Sequence, residues 1–416
     1  YTSQYTLSLH DALPICRFFN QPTPDAPPSP ISRTASRVMR VGHYAPSIGE
    51  EGGIATYIRR TGRAQSIRGH EVAYLGRDAT SATLPGEYVD VPDDEALFSA
   101  AEDLELDILH LHKSVETLPT DRVPTVRTMH GHQGGCPSGS RYLSRPGEPC
   151  DRDYSLTGCL WGHIVDRCGS VRPHNLKANF DRIHRELRQA KHVPTYTVSH
   201  FLRKRMIRAG CSADHLQTIH SPAPTVEQSF TPVSESTPPR LLFLGRLVPQ
   251  KGVEWLLRAL AHVDVAVHLD VAGRGPQRSA LEALADELEV ASEVTFHGWV
   301  EPDQVPSLIR SARAVVFPSV WHEPAGLISL EAAAHGRPLI ASQVGGIPEY
   351  ADTDYAALVD PHDTGGLADA ITILATDVET ANHRGIKGWG IARSKFSMSS
   401  FLDRLRDFYD RARARS

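Results

Sequence analysis

The chain has little net charge of either sign. Its 44 Lys and Arg nearly balance 49 Asp and Glu, leaving −5, so no bulk basic field points to nucleic acid. Long hydrophobic runs are missing too. None approaches the roughly 18 residues that a membrane span needs. Neither half opens on G-x-G-x-x-G, which argues against a nicotinamide-dependent dehydrogenase. No short internal repeat is found. Cysteine is scarce, with six in 416 residues. Cys16 and Cys211 stand apart, while Cys136, Cys150, Cys159 and Cys168 cluster. With no sign of export, reduced thiols or a metal site are expected ahead of disulfides.

What is present reads as a globular chain of two ordinary domains, 40% hydrophobic and 22% charged. Residues 1–36 are expected to contribute nothing to the fold. TLSLHDALPI at 6–15 resembles a translated sequencing-adapter oligonucleotide, and 21–36 is rich in Pro and Ser. This stretch also lacks the charged n-region and apolar h-region of a secretory signal, although the true N-terminus is open. From residue 37, short apolar runs alternate with helical patterns. RVMRVGHY, EVAYLG, DILHLH, TVRTMH, TYTVSH and LQTIHS are nearly continuous apolar strands, as in a parallel sheet covered on both faces. Residues 222–240, polar and proline-rich, read as a linker. The alternation then restarts with LLFLG, VHLDVAG, EVTFHG, AVVFPS, PLIAS and AALVD. The expected fold is α/β, with two doubly wound domains at 37–221 and 241–395 facing a cleft. A final amphipathic helix at 396–416 is expected to pack back on the first domain.

Open α/β sheets bind ligands beyond the carboxyl ends of their strands. After the first strand of the second domain comes GRLVPQKG. Arg246 offers a planar fork of donors and Lys251 a point charge, a pairing suited to a diphosphate. After AVVFPS comes WHEPAGLISLEAAAHGRP. Pro324-Ala325-Gly326 leads into a short helix whose first-turn amides, about Gly326 to Ile328, form an anion site. Glu323 precedes it and Glu331 lies within it. Carboxylates accept hydrogen bonds from sugar hydroxyls and repel phosphate, so phosphate suits the amides and hydroxyls suit the two Glu side chains. Glu323 could equally serve the helix dipole, which would not account for Glu331.

These segments resemble the E-x7-E motif and its companions in retaining GT-B glycosyltransferases of family 4. GRLVPQKG, VAGRGP, FHGWV, FPSVWHEPAGLISLEAAAHGRPLIAS and VGGIPEY match in order. The resemblance implies the GT-B fold, two Rossmann-like domains around a central cleft. It implies a metal-independent, retaining transfer of sugar from a nucleotide-sugar donor to an acceptor hydroxyl. Arg246 and Lys251 would bind the donor diphosphate, Glu331 the ribose hydroxyls and Glu323 the donor sugar. Gly326 and Leu327 would offer amides, and Gly245, Gly273, Arg274, Gly298 and Trp299 would line the donor site. In the first domain, GEEGGIATYIRR resembles the glycine loop facing donor phosphate and acceptor, through Gly52 and Gly53. TMHGH places His130 where the family has a histidine near the donor sugar. No cofactor is implied beyond the donor. The acceptor class is a glycan, a lipid-linked sugar or a small molecule, in polysaccharide, glycolipid or glycoconjugate synthesis in the cytoplasm. Two alternatives are a sugar-nucleotide epimerase on the same fold and a non-catalytic nucleotide-sugar-binding subunit.

Two features lie outside this pattern. The cysteines sit in an insertion at about 132–172, with His163 between the last two, and could form a structural metal site. Buried thiols or disulfides are the alternatives. The insertion is expected to shape acceptor binding. Between Lys177 and Arg208 lie nine Lys or Arg and two acids. Solvated helix faces explain this first. The functional alternative is a patch for anionic headgroups, with peripheral contact at the inner membrane face.

Overall fold

The computed structural model describes residues 38–48, 53–77, 84, 86–118, 122–226 and 228–415. The expectations for residues 1–36 and for Gly52 lie outside the described residues.

Fifteen strands are formed among the described residues. The first nine are β1 (Arg40–Tyr44), β2 (Glu71–Gly76), β3 (Glu87–Asp90), β4 (Ile108–Leu111), β5 (Thr125–Met129), β6 (Tyr142–Leu143), β7 (Glu148–Pro149), β8 (Thr195–Thr197) and β9 (Leu216–Thr218). The rest are β10 (Arg240–Leu244), β11 (His268–Ala272), β12 (Val294–Gly298), β13 (Ala314–Phe317), β14 (Leu339–Ser342) and β15 (Ala356–Val359). One sheet runs β3-β2-β1-β4-β5-β8-β9 and the other β12-β11-β10-β13-β14-β15. Within both sheets the pairings are parallel. In each, the strand order reverses beside the first strand, which creates the crevice where doubly wound sheets bind ligands. This is the GT-B architecture expected from the sequence.

The central strands are buried on both faces, as their composition demands. In β4, β13 and β14 every residue is buried. Two apolar clusters cover the faces of the second sheet. Leu256, Leu260 and Ile371 lie on one side, and Leu330, Tyr350 and Tyr355 on the other.

Three details differ from the sequence expectation. The edge strand β3 and the β6–β7 hairpin were not anticipated. Both are short and only partly apolar, so neither carries a periodic signal. The segment at 222–240 is packed, not free: Ala223 and Val233 are buried, and the Val233 amide donates to Asn382 Oδ1 at 2.8 Å. His200 belongs to the helix His200–Arg208, because the Ser199 hydroxyl accepts from the Leu202 amide and starts it there.

The last helix, Met398–Arg413, buries Phe401, Leu402, Leu405, Phe408 and Tyr409 among residues of the first sheet such as Val41, Ile108 and Tyr196. Arg68 pairs with Asp403 at 2.6 Å, and the Tyr409 hydroxyl meets His110 Nδ1 at 2.7 Å. The carboxyl-end loops of the two sheets touch directly. Ser199 Oγ donates to the Pro324 carbonyl at 2.5 Å, His132 Nε2 to the His322 carbonyl at 2.6 Å, and Trp321 Nε1 to the Ser140 carbonyl at 2.5 Å.

Candidate active site

The loop after β10 carries Gly245, Arg246 and Lys251 into the helix Val253–Leu260. It turns through Gly252, which has φ +70° and whose added Cβ would stand 1.9 Å from the Pro318 carbonyl oxygen. A side chain there would push this loop off the one after β13. The same holds one strand over, where a Cβ on Gly273 would lie 1.8 Å from the Gly245 carbonyl oxygen. Backbone bonds lace these loops together. The Gly245 amide donates to the Ala272 carbonyl at 3.0 Å and the Gly273 amide to the Gly298 carbonyl at 2.7 Å. The glycines named from the sequence thus line three adjoining strand ends. Beside them the Arg274 guanidinium stands 5.6 Å from the exposed Trp299 ring.

Across the switch point, the loop after β13 carries Glu323. Lys251 Nζ donates to Glu323 Oε1 at 2.6 Å, and Ser319 Oγ lies 2.9 Å from the same oxygen. The Lys251 ammonium also sits 5.4 Å and 5.8 Å from the Phe317 and Trp321 rings. The sequence reading assigned Lys251 to phosphate and Glu323 to sugar without foreseeing that they hold each other. Arg246 is exposed and makes no ion pair among the described residues.

Gly326 opens the helix Leu327–Ala334, which no side chain caps. Its first-turn amides are therefore left for a ligand or water. Leu327 is exposed at this end. Glu331, one turn further along, is half-buried. Burial pushes its carboxyl above the usual range, against the opposing pull of Arg60 and His335. Arg60 comes from the helix Gly53–Ile67 of the first half and donates to the Ala223 carbonyl at 2.8 Å. Nothing in the sequence marked it as a neighbour of Glu331. Gly53 begins that helix, and a Cβ there would meet nothing within 4 Å. Its part in a glycine loop therefore has no steric basis among the described residues.

His130 ends a buried imidazole chain. His43 Nε2 lies 2.7 Å from Gln65 Oε1, His43 Nδ1 lies 3.0 Å from His112 Nε2, and His112 Nδ1 lies 3.0 Å from His130 Nε2. With the Gln65 amide oxygen as acceptor, His43 carries its proton on Nε2 and accepts from His112. His112 then accepts from His130 Nε2–H, which leaves His130 Nδ1 as an acceptor. Burial holds His43 at about 4 and His130 at about 3, and both His110 and His112 well below the ordinary value. His130 is thus a neutral hydrogen-bonding group at ordinary pH, not a cation. A signal was available in the sequence: β1, β4 and the segment after β5 each place a histidine at a carboxyl end, and His43 pairs in register with His110.

The sequence profile of the family described as glycosyl transferases group 1 matches residues 238–377, which hold both loops and both carboxylates. The match lies wholly within the second half of the chain. Among curated relatives, the uncharacterized glycosyltransferase MJ1607 of Methanocaldococcus jannaschii is 45% identical over 111 residues, 26% of this chain and 28% of the relative. The D-inositol 3-phosphate glycosyltransferase of Mycolicibacterium smegmatis is 37% identical over 177 residues, 41% of this chain and 39% of the relative. The chain thus matches well under half the length of each of these relatives. The structure of Anabaena Alr3699/HepE in complex with UDP and glucose aligns over 89% of this chain and 98% of that one, with a TM-score of 0.64 and 17% identity. That likeness concerns the fold.

Proposed function

We propose that this chain transfers a sugar from a nucleoside diphosphate donor to an acceptor hydroxyl with retention at the sugar carbon. The observation that carries the reading is the contact of Lys251 with Glu323 at the switch point, with Glu331 half-buried on the helix that follows. The donor diphosphate lies against the free amides at Gly326 and Leu327, between Arg246 and Lys251. Those cations offset the charge that builds on the departing phosphate. Lys251 arrives already placed by Glu323, so little reorganisation is needed at the moment of transfer. Glu323 turns its remaining acceptor capacity to sugar hydroxyls. Glu331, partly withdrawn from water, accepts from the two ribose hydroxyls. The acceptor attacks from the face of the leaving group, and the leaving phosphate takes its proton. His130 Nδ1 accepts from a donor-sugar hydroxyl. An epimerase would not need this cation–carboxylate set, and a silent binding subunit would not need His130 held in one tautomer.

Glu331 provides the first test. Melting of wild type and Glu331→Ala is followed with UDP-, GDP- and ADP-sugars, starting with UDP-glucose. The matching donor at about 100 times its Kd stabilises wild type by roughly 2.7 kcal/mol, a rise of several degrees, and leaves the variant unmoved. Equal shifts in both proteins would remove Glu331 from the nucleotide site. The absence of any shift would promote the silent-subunit alternative.

For the acceptor, a lipid-linked sugar is favoured by an unusual helix in the insertion. Leu156–Ile164 tucks Gly162 and His163 inward and exposes Leu156, Leu160, Trp161 and Ile164, with Trp161 60% exposed. His163 packs on Phe180 of the basic helix Pro173–His192, and Arg167, Arg172 and Lys177 are exposed nearby. Much of the basic stretch itself is engaged inside the protein. Arg205 is buried against Asp151, and Arg203 donates to the Leu216 carbonyl. The membrane-facing element is therefore the apolar helix with its basic rim. Wild type is expected to sediment with anionic vesicles, and Trp161→Ser/Ile164→Ser to stay in the supernatant. Failure of wild type to bind at low salt would end this reading.

A further inference from the structure

Arg141 is a buried cation without a counter-charge. It is 3% exposed, and its guanidinium donates only to backbone carbonyls: Cys150 at 3.2 Å, Gly135 at 3.4 Å and Arg152 at 2.8 Å. The carboxylate whose charge reaches it, Asp151, is already held by Arg205 and by His322 at 2.9 Å. Arg152 has its own partner in Asp166. A guanidinium taken out of water without a paired anion costs several kcal/mol, so a native fold supplies one.

The same residue lines a cavity of about 20 Å³ whose wall includes Cys136, Cys150, Cys159 and Cys168. Four thiols separated by long stretches of chain converge there. None is in a disulfide. His163, fully buried, shares the wall. Its Nδ1 lies 2.8 Å from the Cys159 carbonyl, and its Nε2 is a buried nitrogen with no hydrogen-bond partner.

We infer that Cys136, Cys150, Cys159 and Cys168 bind a single thiophilic divalent ion of the zinc class. Bound as thiolates, the four sulfurs carry four negative charges, the ion two positive ones, and the site a net charge of −2. That charge is the anion that Arg141 lacks. Neutral thiols or disulfides would leave Arg141 as uncompensated as before, which is why the metal is preferred. Binding releases four protons to solvent and changes no oxidation state. No three of the sulfurs lie within 4.8 Å of one another. A tetrahedral zinc site has edges of roughly 3.8 Å, given bonds of about 2.3 Å, so binding draws the insertion inward.

The site is structural, since all four positions are filled by protein ligands. It staples the insertion just where the insertion grips the Glu323 loop. The carbonyl of Ser140, between Cys136 and Cys150, accepts from the Trp321 indole N–H, and Asp151 Oδ1 accepts from His322 Nε2. An ion there sets the seat of the loop that holds Glu323.

The test uses the full chain, purified without a metal-affinity step and assayed for metals by mass spectrometry. About one zinc per chain is expected. Replacement by cobalt should give the strong thiolate-to-cobalt charge-transfer bands and visible bands of a tetrahedral sulfur site. Arg141→Gln keeps the same cobalt spectrum with affinity reduced by about 10-fold. Cys150→Ser loses the spectrum. Should that variant not fold, the wild-type metal content and cobalt spectrum decide alone. Substoichiometric metal with no cobalt spectrum overturns the inference. Disulfide-linked peptides among the four cysteines in fresh protein overturn it too, as does iron accompanied by inorganic sulfide.

Discussion

Lys251→Ala is expected to lower the rate of sugar transfer by about 10²–10³-fold, the cost of removing one charge-stabilising donor from a site of this kind. The loss should fall on kcat more than on KM, because the ammonium matters most when charge has moved onto the leaving phosphate. The geometry adds a second consequence. Glu323 is buried and leans on Lys251 at 2.6 Å. Truncating the lysine leaves a buried carboxylate whose remaining hydrogen-bond partner is the Ser319 hydroxyl, so the variant should also lose stability. The two effects separate in the double variant Lys251→Met/Glu323→Gln. Removing both charges should restore the melting temperature and leave transfer as slow as in Lys251→Ala. Near-normal turnover in Lys251→Ala would discard the assigned role. Recovery of turnover in the double variant would show that only folding had been at stake.

Much of this site was legible because the sequence obeys strand–loop–helix rules. AVVFPS and LISLEAAAH announce a buried strand and a helix, so a carboxylate between them had to fall at the carboxyl edge of the sheet. The same reasoning located Arg246 and Lys251. Spacing could not disclose which side chain meets which. The Lys251–Glu323 contact joins loops from strands that are neighbours in space but 72 residues apart in sequence. Arg60 reaches Glu331 only because the helix after β1 faces the second sheet. The edge strand β3 escaped for the opposite reason: four residues with a partly wet face carry too little pattern. The four cysteines were visible as a cluster in sequence. Their convergence on one cavity with Arg141 depends on the fold of an insertion whose spacing matches no common module.

The largest effect on stability should come from acid. His43, His110, His112 and His132 are buried and His130 half-buried, and all are held neutral, with His43 at about 4 and both His130 and His132 at about 3. In the unfolded chain each returns to an ordinary value near 6.5. Below that pH the unfolded state takes up protons that the folded state refuses. The stability these groups allow is therefore full above about 6.5 and lost as pH falls toward 4. Each group contributes a slope of up to about 1.4 kcal/mol per pH unit in that window. Several such groups acting in one window are large against the 5–15 kcal/mol typical of a folded domain. Urea unfolding followed from pH 7.5 to 4.5 should show the midpoint falling steeply below 6.5. That is well before carboxylates of ordinary pKa begin to titrate. His112→Phe takes one titrating ring out of the chain and should flatten the slope by about one proton, at the cost of unseating His130. A midpoint flat down to pH 5 would mean that these imidazoles are charged or hydrated in the folded protein. The neutral relay from Gln65 to His130 would then fall with it.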